Sequence, residues 1–168
     1  MDELVKRIWY ELTHSKYRSI YTFIYNARLR RRERRINWFI TIASSGSVAG
    51  WWIWTEIPWL WTIIIIASQL LNVSKPYILN FSNSDILHDL QWYYESENHS
   101  YDQLWLNISR GALTEKKIEE RYKEISEKYF TESQKYHKIR LKEDEQIKEI
   151  ALKEWETHLK NKYNVEFT

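Results

Sequence analysis

The chain of 168 residues has no cysteine, only two prolines and only three glycines. Without cysteine, disulfide bonds, thiol nucleophiles and cysteine-ligated zinc or iron–sulfur sites are excluded. Proline and glycine are the residues that most often interrupt regular structure, so their scarcity predicts an almost wholly helical chain.

The sequence also lacks the motifs of common active sites. It has no glycine-rich phosphate loop, no GxSxG sequence and no HExxH pair. Its five histidines are dispersed along the chain. We therefore expect no enzyme activity, no catalytic residue, no cofactor site and no metal site.

Two long apolar runs stand out instead, INWFITIASSGSVAGWWIW and WLWTIIIIASQLLNV. The first has no charged residue, and at about 1.5 Å of rise per residue it covers about 28 Å, close to the hydrocarbon thickness of a bilayer. The second ends near Lys75. The runs predict a transmembrane hairpin with spans at 36–54 and 59–75 and a turn at 55–58. A buried hairpin of a water-soluble helical protein is the alternative.

Tryptophans crowd the predicted turn. Half of the ten tryptophans of the chain lie there, where an aromatic belt would meet the bilayer surface. The members of this interface belt are Trp51, Trp52, Trp54, Trp59 and Trp61.

A cluster of arginines directly before the first run sets the predicted orientation. Basic residues stay on the cytoplasmic side, near lipid headgroups, so both termini should be cytoplasmic and the turn external. A nuclear-localisation or nucleic-acid patch is the alternative, but the adjoining span already explains the cluster, and we expect no direct nucleic-acid partner. The six residues are Arg28, Arg30, Arg31, Arg32, Arg34 and Arg35.

The remaining segments predict cytoplasmic helices on both sides of the hairpin, over 1–35 and 76–168. Residues 2–12 form an amphipathic helix that could lie on the membrane or dock on the C-terminal helices. We expect a break at 13–15, after which a second amphipathic stretch continues through the arginines.

C-terminal to the hairpin, Asn83, Ser84 and Asp85 signal the start of a helix over about 84–110, with a possible break near 97–100. Thr114 should cap a long helix over about 114–162. A heptad-like seam on this helix indicates packing within the chain more than an oligomer seam. The seam begins with Ile118, Tyr122, Ile125 and Tyr129.

Within the spans, small residues form one packing face. Gly46 and Gly50 stand four apart with Ala43 and Ser47 beside them, which allows close approach of another helix. That helix is the second span of the same chain or a span of another protomer.

A line of polar residues also runs through the two spans. It contains Asn37, Thr41, Ser44, Ser45, Thr62, Gln69 and Asn72. Gln69 matters most, because an amide inside a bilayer costs free energy unless it finds a partner or water. These polar side chains could form hydrogen bonds between helices. Alternatively, they could line a water-filled pore formed by several copies of the chain.

The order of these parts resembles the SLATT family, two-transmembrane effectors associated with SMODS and SLOG proteins in bacterial defence loci. The resemblance rests on YNARLRRRERR, the short hairpin, YDQLWLNISRGALTEKKIEERYKEI and the terminal LKNKYN. It implies an effector that oligomerises in the inner membrane and disrupts it when a cytoplasmic sensor or nucleotide-signalling partner acts. It supplies no catalytic residues.

The predicted fold is thus an all-α membrane protein, a two-span hairpin with a cytoplasmic amphipathic N-terminal helix and a C-terminal long-helix bundle. The predicted function is a homo-oligomeric, pore-forming or depolarising effector in the lipid bilayer. A membrane-anchored adaptor that binds a partner through Trp105, Ile118, Tyr122 and Tyr129 is the second hypothesis, and a holin-like lysis protein is the third.

Overall fold

A computed structural model describes residues 2–49, 58–79 and 83–165, with the side chains of most of them. These ranges hold five α-helices and no β-strand, so the prediction of an all-helical chain is confirmed. The helices are α1 (Asp2–Ala49), α2 (Pro58–Leu79), α3 (Asn83–Ser109), α4 (Glu115–Ser133) and α5 (Glu145–Tyr163).

The chain divides into two compact units. Met1–Tyr25 and Leu87–Thr168 form one, which we call the bundle unit, and Asn26–Ile86 form the other, which we call the central unit. The bundle unit is therefore assembled from two parts of the sequence that flank the central unit.

An apolar cluster at the N-terminal end of α1 forms the core of the bundle unit. Ile8 and Leu12 of α1 pack with Tyr101 and Leu104 of α3 and with Ile118 of α4. The amphipathic helix predicted over 2–12 thus docks on the C-terminal helices, which was one of its two predicted positions. Ile118 and Tyr129 are buried within the unit, so their seam packs inside the chain.

The expected break at 13–15 is wrong, because α1 is continuous from Asp2 to Ala49. The hydroxyls of Thr13 and Ser15 donate to the carbonyls of Tyr10 and Leu12 one turn back, at 3.1 and 3.0 Å. These side chains are satisfied inside the helix and do not compete for its backbone. The possible break near 97–100 is also absent, since α3 runs through to Ser109.

The long helix expected over 114–162 is two helices. α4 ends at Ser133, a 3-10 turn covers Gln134–Tyr136, and α5 begins at Glu145. The Asp144 side chain accepts hydrogen bonds from the backbone N–H groups of Gln146 and Ile147, which caps the start of α5. The segment between the two helices ends in the polar residues Lys142, Glu143 and Asp144. Each helix has its own buried apolar residues, Ile118 and Tyr129 on α4 and Ile147, Ala151 and Leu159 on α5.

In the central unit, α2 continues to Leu79. Within the described ranges, none of the helices combines the length and the apolar character that crossing a bilayer requires. The predicted turn at 55–58 lies outside the described residues except for Pro58, the first residue of α2. The transmembrane hairpin stays a prediction.

Candidate functional site

On α2, most of the described large apolar side chains are exposed, which is the reverse of what is expected for a helix in water. The side turned inward carries Ala67, Ser68, Leu71 and Ser74, of which three are small and Ser68 is only 7% exposed. Six large apolar side chains are instead exposed, to between 40% and 70%. They are Trp59, Ile63, Ile65, Ile66, Leu70 and Val73.

The part of α1 that follows the arginines shows the same feature. Trp38 is 69% exposed, Phe39 is 43% exposed and Ile42 is 47% exposed. Large apolar side chains exposed in such number mark, in general, a surface for contact with lipid or with another protein. The central unit is therefore the candidate functional site.

Four members of the predicted polar line are exposed beside these apolar side chains, and Asn37 is partly exposed. On α2, Thr62, Gln69 and Asn72 are all exposed, and their spacing places them along one side of the helix. On α1, Thr41 is exposed and donates to the carbonyl of Asn37 at 2.9 Å. The side chains of Ser44 and Ser45 lie outside the described ones.

All six predicted headgroup arginines lie on α1 and are exposed. Of the predicted tryptophan belt, Trp59 is exposed, the side chain of Trp61 is not described, and Trp51, Trp52 and Trp54 lie outside the described residues. The predicted packing face lies outside the description as well. Gly50 is not described, and for Ala43, Gly46 and Ser47 only the membership in α1 is described.

The bundle unit holds a second set of chemically active side chains, a polar interface between α1 and α3. Glu95 accepts from Lys16 at 2.9 Å and from Ser19 at 2.7 Å. Burial by itself raises the pKa of the Glu95 carboxyl, but the hydrogen bonds and charge of Lys16 and Ser19 outweigh it and hold the pKa below its usual range. One turn along α3, Asn98 donates to the carbonyl of Leu12 at 2.7 Å.

Glu97 lies near α1 in the same interface, but its carboxylate lacks comparable hydrogen bonds from the described residues. It is 8% exposed, and its Oε2 has no hydrogen-bond partner in the part of the chain that the structure describes. Burial raises the pKa of its carboxyl to about 7, because the nearby charge of Arg18 opposes this only in part and Glu11 adds to it. Glu97 therefore changes protonation close to neutral pH.

A third polar contact joins α3 to α5. Asp102 accepts from Lys162 at 2.8 Å and from the Tyr163 hydroxyl at 2.5 Å. Burial raises the pKa of the Asp102 carboxyl less than these hydrogen bonds lower it, so the pKa lies below its usual range. A further hydrogen bond joins α5 to α1, since the indole N–H of Trp155 donates to the carbonyl of Thr13 at 2.7 Å.

A groove of about 950 Å³ lies beside these contacts and is lined by Lys16, Lys153 and Lys162 among others. Glu95 and Asp102 already neutralise Lys16 and Lys162. Since Glu154 lies beside Lys153 in the same lining, the groove has no excess of positive charge to hold an anion.

Sequence reasoning missed the polar interface. The buried residues Ser15, Ser19 and Thr22 recur at spacings of four and three along α1, continuing the apolar stripe of Ile8 and Leu12. A small polar residue at heptad spacing is the signal that could have indicated them.

The surface predicted for an adaptor is largely occupied. Ile118 and Tyr129 are buried, and Trp105 and Tyr122 pack against the core. A groove of about 500 Å³ between α3 and α4 includes Tyr129 of that surface in its lining. Its other lining residues include Leu104, Leu113, Ile125, Arg121 and Lys128.

Among the residues that the structure describes, no group of three or more histidine, aspartate or glutamate side chains could hold a metal ion. No protein-family model, no curated protein and no solved structure matches the chain. The resemblance to the SLATT family stays a prediction.

Proposed function

We propose that the central unit inserts into the bacterial inner membrane and that the chain acts there as an effector that depolarises or perforates the bilayer. The spans are those predicted from the sequence, 36–54 and 59–75, and both termini are cytoplasmic. The observation that carries the proposal is the burial pattern on α2, where three of the four inward residues are small and six large apolar side chains are exposed.

This burial pattern fits lipid better than water. Each large apolar side chain moved out of water contributes about 1.5–3 kcal/mol. Among the described side chains, α1 exposes three large apolar residues from Trp38 onward and α2 exposes six. Small residues on the inward side of a helix are typical of helix contacts within membranes, where close approach replaces hydrophobic burial as the source of attraction. The exposed arginines before this segment fit the cytoplasmic headgroup layer.

The polar line supports association between copies. Gln69 and Asn72 are exposed among apolar side chains, and amides facing lipid tails would be costly. In a homo-oligomer these side chains face each other or water, and a wet line through the membrane would dissipate the membrane potential. The order of segments, with parts of the bundle unit before and after the central unit in the sequence, supports control by a cytoplasmic sensor or nucleotide-signalling partner in a defence system.

The groove between α3 and α4 favours a second candidate, a membrane-anchored adaptor. Its apolar lining residues and flanking charges fit a helix of a protein partner. In that case the central unit only tethers the bundle unit, and its polar line has no role in conduction.

The topology test uses single cysteines introduced into this cysteine-free chain. Cysteine in place of Glu56 should react with an impermeant thiol reagent on intact cells, and cysteine in place of Glu33 should not. After permeabilisation both should react, which controls for access. Equal labelling on intact cells, or the reverse pattern, would refute the orientation.

The functional test replaces Gln69. Expression of the unaltered chain with its trigger should collapse the membrane potential, as reported by a potential-sensitive dye. Gln69→Leu should weaken the collapse at matched protein level and insertion, because an apolar side chain removes a wetting group from the polar line. Gln69→Asn keeps the amide and serves as the matched control.

These variants separate the candidates. Depolarisation that Gln69→Leu leaves unchanged would remove Gln69 from the conducting path. No depolarisation by the unaltered chain, with its trigger and neighbouring gene products supplied, would refute the effector function and favour the adaptor.

A further inference from the structure

A shallow cavity on α1 within the central unit joins positive charge to aromatic rings. Its volume is about 530 Å³, and it is lined by Arg31, Arg34, Arg35, Trp38 and Phe39. Spacings of three, four, seven and eight from the first arginine place all five side chains on one face of the helix.

Charge and rings occupy different ends of this face. At about 1.5 Å of rise per residue, Trp38 lies about 10 Å further along the helix axis than Arg31. Trp38 and Phe39 are 69% and 43% exposed, so the rings are open to a ligand. The cavity therefore offers a cationic end and an apolar end to one molecule.

The arginines keep their charge available. Arg31, Arg34 and Arg35 are exposed, and within the described ranges of the chain none of them forms a salt bridge. A guanidinium presents its N–H groups as a planar fork that matches two oxygens of a phosphate. Three such forks along one face favour an anionic phosphate group.

We propose that this cavity binds the headgroup of an anionic glycerophospholipid. The arginines hold the phosphodiester, and Trp38 and Phe39 contact the glycerol and the first carbons of the acyl chains. A free phosphate would bind only the arginines and would leave the two rings without a contact. The presence of both arginines and aromatic rings in one lining therefore favours a lipid. The inference rests on the proposed function, since it needs the central unit in a bilayer.

The experiment counts lipids bound to the full chain by native mass spectrometry in neutral detergent micelles. Micelles remove the surface potential of an anionic bilayer, which would otherwise attract any arginine. Phosphatidylglycerol and phosphatidylcholine are added in separate titrations, and inorganic phosphate is added in competition.

We expect phosphatidylglycerol to bind about tenfold more tightly than phosphatidylcholine, which corresponds to about 1.4 kcal/mol. Both lipids carry the phosphodiester, but the quaternary ammonium of phosphatidylcholine is repelled by the three arginines. Replacing Arg31, Arg34 and Arg35 together by glutamine should abolish this preference. The matched control replaces Arg28, Arg30 and Arg32 by glutamine, which removes equal charge from the same helix outside the cavity, and should retain it. Trp38→Ala should weaken binding of both lipids.

Equal loss in the two triple variants would overturn the site, because it would show diffuse attraction to a basic helix. Displacement of the lipid by millimolar inorganic phosphate would identify a free phosphate as the ligand and would also overturn it. Circular dichroism confirms that each variant is folded.

Flotation with vesicles of phosphatidylcholine alone separates this inference from the proposed function. A chain that inserts into those vesicles but shows no phosphatidylglycerol preference in micelles refutes only the lipid site. A chain that inserts into neither neutral nor anionic vesicles refutes the proposed function itself.

Discussion

Glu97→Gln should stabilise the bundle unit by about 3 kcal/mol at pH 8 and have little effect at pH 4. The pKa of Glu97 rises from 4.5 to about 7 on folding, so the folded state binds the proton more tightly than the unfolded state. The resulting stability is fully present below pH 4.5 and is lost as the pH rises to about 7. Glutamine copies the protonated side chain and removes this loss.

The measurement is the free energy of opening of α3 from amide hydrogen exchange, compared between variant and unaltered chain at the same pH. Glu95→Gln is the control on the same helix, and its effect should have the opposite sign. The pKa of Glu95 is depressed, so its contribution is present above pH 4.5 and is lost as the pH falls through the folded pKa. If Glu97→Gln were destabilising at pH 8, the carboxylate would have a partner that the described contacts do not show.

Ile8→Ala should destabilise the bundle unit by about 3–4 kcal/mol. The side chain is fully buried and packs with Tyr101, Leu104 and Ile118, so its truncation leaves a cavity in the core. A change of this size is a large fraction of the total stability of a domain.

Urea unfolding followed by the exchange protection of α3 and α4 reports the loss. Ile150→Ala is the matched control, because Ile150 of α5 is 49% exposed and its truncation should change the stability by less than about 0.5 kcal/mol. Unchanged protection in the Ile8 variant would mean that the N-terminal helix lies elsewhere, such as on the membrane surface.

Local patterns were enough to predict the helices but not their limits. The scarcity of breakers predicted helices, and Asn83 marks the start of α3. Thr114 occupies the N-cap position before α4, but its side chain makes no capping hydrogen bond, so only the position of the predicted cap is confirmed. The break expected at 13–15 was wrong because the hydroxyls of Thr13 and Ser15 bond within the helix. Whether such a side chain caps a helix or bonds to the preceding turn depends on what packs around it.

The polar interface could not be predicted, because its partners are far apart in sequence. Glu95 and Lys16 are separated by 79 positions, and nothing near either residue indicates the other. A lone glutamate such as Glu97 is ordinarily assigned to the surface, and only tertiary packing reveals that it is buried. The central unit shows the reverse case, in which composition indicated the large apolar side chains that the structure leaves exposed.

The two-part assembly of the bundle unit has a consequence for biosynthesis. Asn98 of α3 bonds to Leu12 of α1 across 86 positions of sequence. At translation rates of about 5–20 residues per second, α1 waits roughly 4–17 s for this partner to be made. During that interval the apolar segments of the central unit leave the ribosome, so under the proposed function they would meet the membrane before the N-terminal helix can fold onto α3.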